Sequence, residues 1–93
     1  MNKKTTVFVF EGVRFYLTIR FHNDGRIAEV LAAEQRYYGG IFSGVVQDAC
    51  SLINELLRRF VSPETLSEVV GRMPDGSPAS IIGNIIFHLI ENQ

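Results

Sequence analysis

Two short stretches of this 93-residue chain carry residue types suited to holding an anion. The first, "GRMPDGSPASIIGN" at 71–84, places Arg72, Gly76, Ser77, Ser80 and Asn84 ahead of, and into, a strongly apolar helical run. The second, "RYYGGIFSG" at 36–44, places Arg36, Tyr37, Tyr38, Gly39, Gly40 and Ser43 at the start of another. The first N–H groups of a helix lack intrahelical partners and attract phosphate, and serine hydroxyls and a forked guanidinium strengthen that attraction. Tyr37 and Tyr38 add flat faces on which a base can stack. The competing reading is that both loops are turn and capping chemistry, contributing about 1 kcal/mol each to folding.

Catalysis has less to work with. Ser43, Ser77 and Ser80 show no Ser-His-Asp spacing, and His88 lies two helical turns beyond Ser80, about 12 Å away by helix rise. Asp48 and Glu55 read as helix-surface acids, with Glu55 and Arg59 forming an i,i+4 pair. No enzyme, catalytic residue or cofactor is expected. Cys50 with His22 and His88 falls short of the roughly four ligands that structural zinc requires, so no metal site is expected either. As the only cysteine, Cys50 cannot form an intrachain disulfide. It reads as a small buried apolar residue of a protein in a reducing compartment.

The formal charge of −1 gives no general attraction to nucleic acid or acidic membranes and leaves room only for a local basic pocket. After Lys3 and Lys4 every basic residue is arginine, the side chain suited to planar contacts with carboxylate and phosphate. No apolar run approaches the roughly 20 residues of a membrane span, and "MNKKTT" does not lead into a signal-peptide core. A cytoplasmic protein without membrane contacts is expected.

One domain over 1–93 must position these residues. After a tail at 1–4, residues 5–35 read as a β-meander. "TVFVF" is β-branched and aromatic, and Glu11-Gly12 suits a tight turn. In "VRFYLTIRF", Val13, Phe15, Leu17, Ile19 and Phe21 alternate with polar or amphipathic residues at the period of a strand. Asp24-Gly25 makes a second turn before "IAEVLAA". Residues 41–91 read as helical. From Ile41, the set Val45, Ala49, Leu52, Leu56 and Phe60 follows helical steps, widened by Val46, Ile53 and Leu57. Ser62-Pro63-Glu64 opens a second helix, which Gly71 would end in the left-handed conformation. A third starts near Ser77-Pro78, with Ser77 as cap. Its polar residues form one narrow line: Ser80, Asn84, His88 and Glu91. So apolar a helix in so small a domain calls for a second subunit, and a homo-oligomeric α+β protein is expected.

"DGRIAEV" followed by "GVVQDACSLINELLRRFVSPETLSEVVGRMPDGSPASIIGNII" resembles the TSCPD domain, over roughly residues 5–91. Such domains are appended to the C-terminus of cobalamin-dependent ribonucleotide reductases and also occur as small free-standing proteins. The chain departs from the family at its eponymous Thr-Ser-Cys-Pro-Asp stretch, where Gly76-Ser77-Pro78-Ala79-Ser80 stands without a cysteine. A metal role is therefore not carried over, and without a reductase domain neither is radical chemistry. The resemblance implies an appendage of nucleotide metabolism.

The expected function is accordingly non-catalytic binding of a phosphorylated small molecule, a nucleotide or nucleotide second messenger. One concrete form is a phage-type sponge that sequesters such a messenger from a bacterial defence system. The alternative is a protein-interaction module, such as a phage-encoded inhibitor that docks on a host complex.

Overall fold

A computed structural model of the chain describes residues 2–35 and 41–93. It is α+β: strands β1 (Asn2–Phe10), β2 (Val13–Phe21) and β3 (Ile27–Glu34) precede helices α1 (Ile41–Arg58), α2 (Pro63–Val69) and α3 (Ile81–Glu91). The strands form one antiparallel sheet in the order β1-β2-β3. Asn2–Lys4, expected as a tail, belongs to β1 and pairs with Ile19–Phe21.

Both turns follow from local chemistry. Glu11 and Gly12 take positive φ, 53° and 74°, as a two-residue hairpin requires. At the second turn Gly25 sits at φ 91°, and the register slips by one residue between Arg20 and Phe21. This slip puts Ile27 opposite Phe21 and keeps both on the core side.

Period-two alternation gives the sheet a dry face and an open one. Phe15, Leu17 and Ile19 of β2 are almost fully buried, with Phe8 and Val30 beside them. Val7, Val9, Tyr16 and Leu31 point to the other face and remain exposed. The core is completed by Val46, Ala49, Cys50 and Ile53 of α1, Leu66 of α2, and Ile81, Ile85, Ile86 and Leu89 of α3.

The rotation of α1 differs from its sequence expectation. Of the set Val45, Ala49, Leu52, Leu56 and Phe60, only Ala49 is buried, while Leu52 is 66% exposed. Val46 and Ile53 face the core instead, with Leu57 packed at its margin. Polar contacts set this phase. Asn54 pairs with the backbone of Val30, and the buried Cys50 thiol faces the Ala32 N–H. Both contacts lie on the outer side of β3, so α1 seals that edge of the sheet.

The end of α2 and the start of α3 also differ from the sequence expectation. Ser62 caps α2 as expected, accepting from the Thr65 N–H at 3.2 Å. Gly71 does not end that helix in a left-handed turn: the chain leaves through an extended Val70 at φ −97°, ψ 151°. Nor does α3 begin at Ser77-Pro78. Its cap is Ser80, whose Oγ accepts from the Gly83 N–H at 3.0 Å. The apolar circumference of α3 is largely covered within the single chain, and His88, from its polar line, packs against Phe8 with ring centroids 4.9 Å apart. Exposed apolar surface lies instead on α1 and the open sheet face, and at Phe60, Val69 and Met73.

Candidate functional site

Arg72, Gly76, Ser77, Ser80 and Asn84 do come together, in the connection between α2 and α3, but their polar groups turn inward. The Arg72 guanidinium donates to the carbonyls of Gly76 (3.2 Å) and Ser67 (3.4 Å). Ser77 donates through both its N–H and its hydroxyl to Asp75, at 2.9 and 2.6 Å. These bonds hold the Asp75 carboxyl below its ordinary range. Gly76, at φ 89°, permits the reversal, and a β-bridge between Arg72 and Pro78 closes the loop. Asn84 donates back to the Ser80 carbonyl at 2.9 Å. The loop is a self-bonded hairpin leading to a capped helix.

Of the second set, Arg36, Tyr37, Tyr38, Gly39 and Gly40 lie outside the described residues. Ser43, in the first turn of α1, lines a small cavity of about 60 Å³ with Glu34, Val46 and Gln47. That volume suits water, not a nucleotide.

A much larger concavity lies elsewhere, between the β2–β3 turn and the α1–α2 junction. It is a half-open cleft of about 630 Å³, within the range of small-molecule sites. Ile27, Leu57, Val61 and Pro63 supply apolar walls; Arg26, Arg58 and His22 bring basic groups to it. Asp24 fixes the direction of Arg26. Its carboxylate accepts from the Arg26 backbone N–H at 3.0 Å and from Nε at 2.8 Å, and so titrates below the ordinary aspartate range. Among the described residues no hydrogen bond engages the two terminal Arg26 nitrogens. Arg58 is held by Glu55 at 2.7 Å, an acid shared with Arg59 and depressed in pKa by the pair. Gln93 bonds to Glu64, bringing the end of the described chain to the cleft wall.

Phe60 is the outlier of this site. Its φ is 64°, the left-handed conformation that costs a non-glycine residue about 1 kcal/mol or more. The Phe60 N–H bonds to the Leu57 carbonyl and the Val61 N–H to the Leu56 carbonyl. This is the helix stop in which glycine ordinarily takes the left-handed place. Instead of glycine the chain carries an aromatic ring, 80% exposed, with the Arg26 guanidinium carbon 5.6 Å from its centroid. Sequence reading passed over both residues. Arg26 follows the Asp24-Gly25 turn and Phe60 falls on a helical stripe, and only the tertiary fold sets them against each other.

Among the described residues no group of three or more His, Cys, Asp or Glu side chains could hold a metal ion. No helix described is long and apolar enough to cross a membrane. In comparisons with known proteins, no family model, curated protein or solved structure matches the chain.

Proposed function

We propose that the protein is a non-catalytic, self-associating binding module. It takes a phosphorylated small molecule, in the first place a nucleotide, in the cleft between the β2–β3 turn and the α1–α2 junction. The observation that carries this reading is Phe60: an exposed ring held at positive φ under Arg26, on the rim of an apolar cleft. Strained backbone of this kind clusters at ligand clamps and active sites, which supports a binding role for Phe60. The Arg26 terminal nitrogens and Arg58 offer charge to a phosphate, and Phe60 offers a flat face to a base. The TSCPD resemblance, carried by Asp24-Gly25-Arg26 and Ser62-Pro63-Glu64 in their order along the chain, supports nucleotide over other phosphate esters. A cytoplasmic sponge for a nucleotide messenger is one form of this function.

A second reading, docking on a host protein, is favoured by the exposed Leu52, Leu56, Tyr16 and Leu31. One experiment separates the two. The protein purified from cells is denatured, and the released small molecules are identified by mass spectrometry. A nucleotide whose rebinding weakens at least tenfold in Arg26→Ala, but not in Arg72→Ala, supports the cleft. Loss in Arg72→Ala alone returns the site to the 71–84 loop. A host protein recovered in place of any nucleotide supports docking.

A further inference from the structure

The two edges of the sheet are treated differently. On β3, α1 seals the outer edge through Asn54 and Cys50. On β1, the hairpin register bonds Phe10, Phe8, Thr6 and Lys4 inward to β2, which turns the N–H and C=O groups of Lys3, Thr5, Val7 and Val9 outward. Among the described residues no hydrogen bond reaches those outward groups. The strand spans nine residues without proline or bulge, and its exposed side chains include Val7 at 44% and Val9 at 60%. Such an edge is a template for another strand unless charge or proline blocks it. Lysine guards only one end, leaving Thr5–Phe10 uncharged.

We propose that a second copy of this chain occupies this edge, β1 against β1, antiparallel about a twofold axis at Val7. The inference rests on the self-association proposed above and names its surface. Antiparallel pairing of identical strands is self-complementary, because each outward donor meets an outward acceptor of its twin. The axis at Val7 sets Val7 opposite Val7 and Thr5 opposite Val9, and brings Lys3 to the Glu11 of the twin at both ends. Opposite charges thus meet where the strand begins and turns, and the uncharged centre joins apolar side chains on the open face. The two sheets become one, with each α1-sealed β3 as an outer edge.

The test is molar mass in solution by light scattering across micromolar concentrations. The wild type is expected at twice the 10.5 kDa chain mass. Val7→Pro removes an outward N–H that the monomer does not use, so it should keep wild-type circular dichroism and halve the mass. Should proline disturb the strand, Val7→Glu sets like charges face to face on the axis without touching the core, and should also give a folded monomer. Glu11→Lys should weaken association several-fold, and Lys3→Glu added to it should restore the loss. A monomeric wild type overturns both self-association and this interface. An oligomer that survives Val7→Glu, or that dissociates only with Leu52→Glu on the exposed face of α1, overturns the interface while leaving self-association standing.

Discussion

Asn54 and Val30 are joined by two hydrogen bonds, Val30 N–H to Oδ1 at 2.8 Å and Nδ2 to the Val30 carbonyl at 2.9 Å. The amide of Asn54 does for β3 what a fourth strand would do, meeting one donor and one acceptor in a buried setting. Its side chain also fixes the rotation of α1, so this polar pair decides which apolar residues enter the core.

Asn54→Ala should therefore cost more than its volume suggests. It leaves two backbone groups buried without partners, at roughly 1–3 kcal/mol each, for a total of about 2–6 kcal/mol. Urea unfolding followed by circular dichroism measures this. A loss below about 1 kcal/mol would mean that water replaces the amide and that the pair does not hold the helix.

Cys50 sits one turn before Asn54 on the same edge. Burial pushes its thiol up, and the Ala32 N–H offsets only part of that. A folded pKa above the unfolded one contributes stability that is complete below the unfolded value, about 8.5, and lost as pH rises through the folded value. Stability should therefore decline above about pH 9, and Cys50→Ala should remove that component while costing about 1 kcal/mol at neutral pH. In the native protein a thiol reagent should react slowly, and unfolding in urea should release the full rate. Fast native labelling would contradict the buried assignment.

The β-meander was legible because its causes are local: alternation along Val13–Phe21 and the glycine turns at Gly12 and Gly25 need no distant partner. The existence of α1 was legible for the same reason, but its phase was not. Val45, Leu52 and Leu56 satisfy the helical period as well as Val46, Ala49 and Ile53 do, and a hydrophobic pattern cannot see that Asn54 bonds to Val30. The Ser77-Pro78 signal misled because serine before proline suits a helix start, whereas Asp75 takes Ser77 into the turn. The cleft was illegible because Arg26 and Phe60 meet only in the tertiary fold.

Two serines three residues apart but different in role make the third prediction. Ser80→Ala removes the acceptor for the Gly83 N–H and should lower stability by about 1 kcal/mol. Ser77→Ala keeps the Ser77 N–H bond to Asp75 and loses only an exposed hydroxyl contact, so its cost should stay within about 0.5 kcal/mol. Thermal unfolding of the two variants side by side decides it. The reverse order would move the helix cap back to Ser77.

Phe60 permits backbone strain and ligand binding to be measured apart. Phe60→Ala and Phe60→Gly both delete the ring and its contact with Arg26, a cation–π pair in an exposed setting. They differ in the residue left at φ 64°, which strains alanine and suits glycine. Phe60→Gly should consequently be more stable than Phe60→Ala by about 1 kcal/mol, and close to wild type, because relief of the left-handed strain offsets loss of the ring. If Phe60 serves the cleft, both variants should lose nucleotide affinity by the same factor despite that stability difference. Isothermal titration with the nucleotide released from the native protein provides the second axis. Equal stabilities would show that the helix stop shifts to an unstrained conformation, and unchanged affinity in Phe60→Gly would remove the ring from the site.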